Sequence, residues 1–342
     1  MLYDVVHSSQ AIRTPDSAQT LGFLYNHGGL NNQKMAIAGL LLSAIESRLA
    51  VNLPYIYVKD QRTDDEYLAR FQDVFELDAV ADFGRRHDIA INPGGASGVR
   101  GGWDYFGHFG GVLGTGADRK VVEAALEAMT CLKPRIASNP ILLQLKDFVF
   151  ASLGIQMAIQ LRIERDWQVH SQQLRSVLGD SEDYGIGFIE ILSKIRKTFP
   201  ELRLAYVTSD ENAMPASKDE IRAVSRSRFG IDLLWKSDFL DSAHLERLNP
   251  LDLSMVDYEI ARYSPRFVGQ TASTFANILC LEKFARTRKE VRGHFIYNCL
   301  GDTVRERRDN GFASSAHWAL LPSRVWQVLG DGGAHSGASR NE

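Results

Sequence analysis

Short apolar runs alternate with amphipathic stretches along this chain, and this alternation is the feature that most constrains its fold. Residues 21–25 form an apolar run, and the glycine- and asparagine-rich turn NHGGLNNQ follows directly. Apolar residues then recur at helical spacing over residues 34–50, and the strand-like LPYIYVKD comes next. A strand, a helix and a second strand in this order predict a βαβ unit, and therefore a parallel sheet.

The same alternation restarts in the second half of the chain. The predicted strands cover residues 155–161, 202–208 and 266–269, and the predicted helices cover residues 186–198, 218–228, 252–262 and 274–285. We therefore predict an α/β fold with two domains, at residues 1–150 and 151–330, followed by a flexible tail at residues 331–342.

Ten glycines lie within residues 93–116. This density predicts that the segment is largely loop, either a lid over a site or only a long surface excursion. A helical pattern follows over residues 119–129.

Composition excludes several classes of function. The net charge of the 342 residues is −3, so we expect no nucleic-acid partner. We expect no membrane insertion, because no run of 18 apolar residues occurs. The three cysteines are scattered, and the N-terminus lacks the pattern of a secretory signal. A cytoplasmic protein is predicted.

The turn after the first apolar run is the first candidate site. Gly28 and Gly29 allow a backbone to turn tightly and approach a ligand, while Asn31 and Asn32 offer neutral hydrogen-bonding groups. His27 beside them is a candidate base. The spacing matches neither a dinucleotide fingerprint nor a phosphate-binding loop. On local evidence, a helix cap with asparagine as N-cap is the more economical interpretation.

A burst of charge in the segment IQLRIERDW follows the predicted strand at residues 155–161. Arg162 comes first, and its planar guanidinium suits pairs of phosphate oxygens. Glu164, Arg165 and Asp166 would support it as an ion network, and Trp167 would pack in the core. Taken alone, the cluster favours a structural ion network over a binding site.

Three further segments place polar residues after a strand or on an apolar helix. In GQTASTFAN, Ser273 and Thr274 could cap a helix whose N-terminus favours an anion, and Phe275 follows them. Asp210, in TSDEN, could bind a sugar hydroxyl or cap a helix. Asp257 lies on an otherwise apolar helical stretch and needs a partner. No DxD, HExxH, CxxC or GxSxG motif occurs, so no metal ligands and no cofactor are expected.

Taken in order, these motifs resemble the superfamily of fucosyltransferases that use GDP-fucose, which includes the protein O-fucosyltransferases, their plant relatives and the nodulation α1,6-fucosyltransferases. The resemblance runs over roughly residues 21–312. GGLNNQ is similar to the first glycine–asparagine motif of the superfamily, IQLRIERDW to its central arginine segment, and LAYVTSDE to its later strand. VDYEIARYSPRFVGQTASTF resembles its aspartate helix and serine-rich turn, and YNCLGDTVRERRDNG its basic C-terminal segment in plants.

The resemblance implies a GT-B architecture, in which two Rossmann-like domains face each other across a cleft, and an inverting reaction without a metal. It implies that Arg162 holds the β-phosphate of GDP and stabilises the departing diphosphate. Ser273, Thr274 and Phe275 would line the phosphates and nucleotide. Asp257 would approach the guanine edge, and Asn32 the sugar.

Two positions depart from the pattern of the superfamily. Gln160 stands where its members usually have histidine, and Gly28 stands where some have a glutamate that acts as general base. The remaining candidate bases are His27 and Glu164, or none if the reaction is strongly dissociative.

The sequence therefore predicts a glycosyltransferase with GDP-fucose as donor and a hydroxyl of a glycan, protein or small molecule as acceptor. Two alternatives stay open: a different nucleotide sugar, and a non-catalytic nucleotide- or glycan-binding protein on the same fold.

Overall fold

The computed structural model of the protein describes most of the chain, namely residues 20–60, 63, 65–94, 101–114, 118–178, 182–287 and 292–307. The predicted flexible tail, and the part of the basic C-terminal motif beyond residue 307, lie outside the described residues. Within them, no helix is both long and apolar enough to cross a membrane.

Helices and strands alternate over the described residues, so the predicted α/β class is confirmed. The helices are α1 (Leu30–Ser47), α2 (Phe71–Val74), α3 (Leu77–Arg86), α4 (Gly102–Gly114), α5 (Arg119–Cys131), α6 (Pro140–Asp147), α7 (Arg165–Leu178), α8 (Phe188–Thr198), α9 (Lys218–Val224), α10 (Ser242–Arg247), α11 (Pro250–Tyr263) and α12 (Thr274–Thr287). The strands are β1 (Thr20–Leu21), β2 (Ala50–Asn52), β3 (Ile56–Asp60), β4 (Asp65–Ala69), β5 (Ile91–Asn92), β6 (Met157–Gln160), β7 (Leu204–Thr208), β8 (Asp232–Leu234), β9 (Arg266–Gly269), β10 (His294–Ile296) and β11 (Arg305–Glu306).

The larger sheet has the strand order β11-β10-β9-β6-β7-β8, and all neighbours are parallel except β11. The chain winds outward from β6 to β8 and then returns to place β9 on the other side of β6. This reversal is the doubly wound arrangement of Rossmann-like sheets. Ile159 in β6 pairs with Val207 on one side and with Val268 on the other, so β6 is central. Its four residues are all buried.

The smaller sheet has the order β1-β2-β5 and is parallel. The predicted βαβ unit is therefore present, but its second strand is β2 and not the LPYIYVKD segment. Pro54 separates β2 from β3, and β3 pairs with β4 as an antiparallel hairpin. Ile56 and Val58 are buried while Tyr57 and Lys59 face outward, an alternation that suits a hairpin with one wet face.

The prediction that residues 93–116 are largely loop is wrong over α4. Tyr105 and Phe109 lie one helical turn apart and are both buried. A Cβ at Gly39 of α1 would lie 1.9 Å from the carbonyl oxygen of Tyr105, so this glycine lets the two helices approach closely. Added Cβ atoms at Gly107 and Gly110 would meet nothing within 4 Å. Close packing of α1 against α4 therefore depends on Gly39, whereas Gly107 and Gly110 lie on an open face of α4.

Most other predicted elements are present with ends displaced by a few residues. The helix predicted at residues 34–50 begins earlier, at Leu30. The helix predicted at residues 218–228 ends at Val224 and continues as a π turn to Phe229. Helix α7 was not predicted, because its many polar residues hide the apolar face on which Trp167 and Leu174 are buried.

One apolar core continues across the two halves of the chain. The buried side chains of α1, α4 and α5 form a single cluster with those of α11 and α12. A second cluster lies on the opposite face of the larger sheet, against α8. The strands of the two sheets belong to separate stretches of the chain, but the two-domain division stays a prediction.

A buried ion pair joins the two halves inside this core. Lys34 of α1 donates a hydrogen bond to the carboxylate of Glu282 of α12, and their side chains are 1% and 4% exposed. The ammonium of Lys34 also lies 5.5 Å from the centre of the Tyr258 ring. Removal of Lys34 would leave the buried carboxylate of Glu282 with the half-exposed Arg286 at 4.0 Å, and removal of Glu282 would leave the ammonium of Lys34 buried without its carboxylate.

We expect Lys34→Met to lower the free energy of unfolding by about 3 kcal/mol, because the buried carboxylate of Glu282 then loses the cation that pairs with it directly. The double variant with Glu282→Leu should recover most of this loss. Lys197→Met, which removes an exposed pair with Asp302, should cost less than about 1 kcal/mol. Urea unfolding of the four proteins measures the differences. Equal stability of Lys34→Met and wild type would show that the pair does not hold the halves together.

Candidate active site

The carboxyl ends of the parallel strands meet at a cleft of about 450 Å³. It lies where the connections after β6 and β9 leave the sheet in opposite directions, the usual ligand site of a doubly wound sheet. The first half of the chain lines it with Gly29, Leu30, Asn31, Asn32, Lys59 and Asp60. The second half lines it with Gln160, Arg162, Glu164, Asp166, Thr208, Ser209, Asp210, Glu211, Asn212, Lys236, Ser237, Leu245, Pro250, Leu251, Leu253, Ser254, Asp257, Ser273, Thr274 and Phe275.

The glycine turn places the start of α1 at this cleft. Gly28 has φ +102°, and a Cβ there would lie 2.6 Å from the side-chain nitrogen of Asn32. The N-cap is Gly29, which offers no side-chain cap, so the interpretation of an asparagine N-cap is wrong. The side-chain oxygens of Asn31 and Asn32 are buried and have no hydrogen-bond partner within the described residues. Both are available to a ligand at the helix N-terminus.

Arg162 lies two residues beyond the end of β6 and reaches the cleft with a side chain that is 27% exposed. Its guanidinium nitrogens lie 3.1 Å from a carboxylate oxygen of Glu164 and 3.0 Å from one of Asp166. Desolvation opposes its charge, but the two carboxylates outweigh this effect and raise the pKa of Arg162. The ion network and the cleft-facing arginine are therefore one arrangement, in which the carboxylates orient a permanent cation.

The carboxyl of Glu164 is buried beside this cation. One oxygen accepts a hydrogen bond from the backbone N–H of Asp210 at 3.3 Å, and the other faces Arg162. Burial raises the pKa of Glu164 above its ordinary value, although Arg162 opposes the shift. A carboxylate held in this way takes up a proton more readily than an exposed one.

Gln160 and Ser273 connect the ends of β6 and β9 across the floor of the cleft. The side-chain nitrogen of Gln160 donates to the hydroxyl of Ser273 at 2.9 Å. The other side-chain atom of Gln160, its oxygen, is buried without a hydrogen-bond partner among the described residues. Ser273 directly precedes α12 and Thr274 begins it, and both line the cleft, so the free N–H groups of a 14-residue helix open toward the same space.

A buried polar cluster fixes the turn that carries Ser273. The hydroxyl of Thr271 donates to Glu182, and the side-chain nitrogen of Asn298 donates to Glu182 at 3.1 Å. The side-chain oxygen of Asn298 accepts the backbone N–H of Thr271 at 3.1 Å. Side-chain hydrogen bonds therefore hold this turn from outside the cleft, and its cleft-facing groups are left for a ligand.

Asp257 has the partner that its place on an apolar helix requires. Its carboxylate accepts hydrogen bonds from Lys236 at 2.7 Å and from the hydroxyl of Tyr206 at 2.7 Å. Burial raises the pKa of Asp257 to about 6, and Lys236 opposes a larger rise. The pKa of Lys236 is raised because its carboxylate neighbours outweigh its own desolvation. The pair is ionised near neutral pH and loses its negative partner in mild acid.

Sequence reasoning named thirteen candidate site residues, of which eleven line this cleft. Two of the residues that it named, His27 and Gly28, do not line the cleft. His27 is exposed and packs against Tyr25 and Tyr57. The named residues that the structure brings to the cleft are Gly29, Asn31, Asn32, Gln160, Arg162, Glu164, Asp210, Asp257, Ser273, Thr274 and Phe275.

Lys236 is the main cleft residue that sequence reasoning missed. It follows β8 by two residues, as Arg162 follows β6, so its position after the apolar run IDLLW was the available signal. Lys59 and Asp60 were missed because β3 was expected to lie in the parallel sheet. The apolar wall formed by Leu245, Leu251 and Leu253 had no sequence signal of its own.

Acidic side chains outnumber basic ones along the cleft. The basic residues are Lys59, Arg162 and Lys236, and the acidic residues are Asp60, Glu164, Asp166, Asp210, Glu211 and Asp257. An anion therefore meets favourable charge chiefly at Arg162 and at the start of α12, which fixes where it can bind. No group of three or more His, Cys, Asp or Glu side chains that could hold a metal ion occurs among the described residues.

Comparison with known proteins gives structural matches only. No protein-family profile and no curated protein sequence matches this chain. A solved structure of POFUT1 in complex with GDP matches with a TM-score of 0.47 and 15% identity, covering 82% of this chain and 98% of that one. POFUT1 in complex with GDP-fucose gives the same values in one crystal form. A mutant of Arabidopsis thaliana FUT1 in complex with GDP matches with a TM-score of 0.39 and 11% identity, covering 86% of this chain and 74% of that one.

Similarity at these values does not transfer a function.

We expect Gly28→Ala to lower the free energy of unfolding by about 1–2 kcal/mol, because an L-residue at φ +102° is strained and its Cβ would displace the Asn32 side chain. Gly29→Ala is the matched control. Gly29 has φ −60°, and a Cβ there meets no atom within 4 Å, so the stability should hold or rise slightly. Urea unfolding measures the free energy of unfolding of both variants. Equal values for the two would show that Gly28 has no special role.

Proposed function

We propose that this protein is an inverting, metal-independent glycosyltransferase that transfers fucose from GDP-fucose to a hydroxyl acceptor. The two halves of the chain would act as the facing domains of a GT-B enzyme. The observation that carries the proposal is the placement of Arg162, a permanent cation held by two carboxylates, at the carboxyl end of β6 beside the open N-terminus of α12. A cytoplasmic location belongs to the proposal and rests on the sequence.

The diphosphate of the donor would bind between Arg162 and the start of α12. Arginine matches phosphate oxygens through paired N–H donors, and the free N–H groups of a helix end favour an anion. The hydroxyls of Ser273 and Thr274 add donors at the same place. As the bond between the anomeric carbon and the phosphate oxygen breaks, its electrons pass to the diphosphate, and these groups stabilise the charge that develops.

The nucleoside would occupy the part of the cleft between α11 and the end of β8. Leu245, Leu251 and Leu253 offer an apolar wall there, and Asp257 with Lys236 offers an acceptor beside a donor. The edge of guanine presents N–H donors next to a carbonyl acceptor, so it complements this pair. Adenine presents a different arrangement of donors and acceptors, and uracil is a smaller base.

The acceptor would approach from the side of α1. The unpartnered side-chain oxygens of Asn31 and Asn32 can accept hydrogen bonds from sugar or acceptor hydroxyls. Attack of the acceptor oxygen on the anomeric carbon, from the face opposite the diphosphate, inverts that centre. The acceptor proton must then pass to a base. Of the two candidate bases, Glu164 lines the cleft and His27 does not, but Glu164 pairs with Arg162 on the diphosphate side, so the acceptor proton would have to cross the cleft to reach it.

Two observations favour a second candidate, a nucleotide- or glycan-binding protein without catalysis. Arg162 already has two carboxylate partners, and acidic side chains outnumber basic ones in the cleft. Both features weaken the electrostatic attraction of the site for a departing diphosphate. An arginine without carboxylate partners would attract it more strongly. Binding of GDP without turnover of GDP-fucose, with every acceptor tried, would favour this candidate.

We expect GDP to bind more tightly than UDP or ADP in calorimetric titrations. Arg162→Ala should weaken GDP binding roughly 10- to 100-fold, because it removes charged hydrogen bonds and leaves two carboxylates facing the diphosphate. Arg165→Ala is the matched control, since Arg165 is exposed and does not line the cleft. Equal affinity for the three nucleotides would rule out a guanine site, and equal binding by Arg162→Ala and wild type would remove Arg162 from the site.

If Glu164 is the base, transfer from GDP-fucose must fall at low pH as its carboxylate takes up a proton. Burial raises the pKa of Glu164, so this loss should begin at a higher pH than for an exposed glutamate. Glu164→Gln should lower the transfer rate by roughly 10²- to 10⁴-fold and abolish this acid limb, while GDP still binds. Asp166→Asn, at the other carboxylate partner of Arg162, should keep the acid limb. An acid limb that survives in Glu164→Gln would assign the base elsewhere.

A further inference from the structure

Three aromatic rings form a cluster beside the cleft that the site described above does not use. Tyr25 and Tyr57 are nearly parallel, with ring centres 5.9 Å apart and planes at 19°. His27 meets both rings edge-on, with centre distances of 4.9 Å to Tyr25 and 4.7 Å to Tyr57. His27 is exposed and both tyrosines are partly exposed. The three side chains, here called the aromatic platform, thus keep apolar ring surface in contact with solvent.

The backbone joins this platform to the cleft. Tyr57 and Lys59 lie two positions apart on β3 and face the same side of the hairpin, and Lys59 lines the cleft. His27 lies two residues before Gly29, which also lines the cleft. A Cβ at Gly29 would meet no atom within 4 Å, so space is open at Gly29 itself.

A glutamine fixes the position of the platform relative to α1. The side-chain nitrogen of Gln33 donates to the carbonyl oxygens of Gly28 at 3.1 Å and of Tyr57 at 2.8 Å. The side-chain oxygen of Gln33 accepts the backbone N–H of Tyr57 at 2.8 Å. The side chain of Gln33 therefore connects the backbone of the glycine turn to the backbone of β3. Because Gln33 bonds to backbone atoms, truncation of a platform ring leaves these hydrogen bonds in place.

The surroundings of the platform favour a neutral ligand. Lys59 and Glu66 face each other across the hairpin and pair at 3.0 Å. The pKa of Tyr57 is raised by desolvation and by its contact with Glu66, so this ring stays uncharged at neutral pH. A pyranose suits such a surface, because one of its faces carries C–H groups that pack on aromatic rings while its hydroxyls stay hydrated.

We propose that Tyr25, His27 and Tyr57 form a saccharide-binding subsite that holds a glycan acceptor against the α1 side of the cleft. This inference rests on the proposed function, since it assigns the acceptor to a class and to a place. It also gives His27 a role in binding, by packing against the sugar, in place of the role of base. A glycan of two or more units can lie on the platform and still extend one hydroxyl past Gly29 toward Asn32.

A glycan array tests the subsite, with labelled protein and saturating GDP. We expect wild type to retain neutral oligosaccharides, and fluorescence titration with the best-retained member gives its affinity. Tyr25→Ala and Tyr57→Ala should each weaken this binding by about tenfold, which corresponds to the loss of one stacked ring. Tyr25→Phe and Tyr57→Phe keep the rings and should bind like wild type.

Two controls separate a binding role from a structural one. Tyr263→Ala removes a tyrosine that is 53% exposed on α11, away from the platform, and should leave glycan binding unchanged. His27→Ala truncates an exposed ring, so it should fold normally and still weaken glycan binding. GDP affinity, measured on the same samples, should stay constant in every platform variant.

The outcomes distinguish this inference from the proposed function. If wild type retains no neutral glycan, or if the alanine variants bind glycans like wild type, the saccharide subsite is wrong, even when GDP binds and GDP-fucose is turned over. If glycans bind through the platform but GDP does not bind, the subsite stands and the proposed transferase function fails.

Discussion

The site depends on one topological constraint, the reversal of winding between β6 and β9 in the larger sheet. Neighbouring parallel strands end at the same edge, but their connections leave toward opposite faces, so no backbone fills the space between them. Gln160 at the end of β6 and Ser273 after β9 meet across this space at 2.9 Å. Arg162 and the start of α12 are delivered to the same place. The cleft therefore results from strand order before any side chain is considered.

Placing ionisable groups in such a cleft opposes folding. Glu164 and Asp257 are buried, and burial raises the pKa of each carboxyl. Arg162 and Lys236 offset part of this cost by pairing with them. The continuous core, in which α1 packs with α11 and α12, supplies the apolar burial that such a site requires. The same core fixes the first half of the chain opposite the strand ends of the second.

The two sides of the cleft offer different chemistry. The second half provides the permanent cation, the helix N-terminus and the apolar wall that suit an anionic nucleotide. The first half provides the side-chain amides of Asn31 and Asn32 and, beyond the glycine turn, an aromatic surface. Gly28 connects these features, because its positive φ and its lack of a Cβ beside the Asn32 side chain let the turn pass from the platform to the helix. A donor on one side and a neutral acceptor on the other fit this division.

Local pattern was enough to predict the α/β class, six of the twelve helices of the described residues, and polar residues that follow β6, β7 and β9. Arg162, Ser273 and Asp257 could be named in this way, because an arginine after a buried strand or an aspartate on an apolar helix is visible without coordinates. The glycine-rich segment was misread, because the packing of Tyr105 against Gly39 is a contact between distant parts of the chain. Strand β3 was assigned to the wrong sheet, because an apolar run does not indicate which strand it pairs with.

The sequence by itself determined the alternation of strands and helices, the glycine turn and the charged residues that follow the strands, because each depends on neighbours within a few positions. Only the tertiary structure decided that Lys236 pairs with Asp257, that Glu164 accepts a hydrogen bond from the backbone of Asp210, and that His27 lies outside the cleft and packs with two tyrosines. These arrangements depend on strand order and on helix packing across the core. Both are set by contacts between residues far apart in the chain, which no local pattern contains.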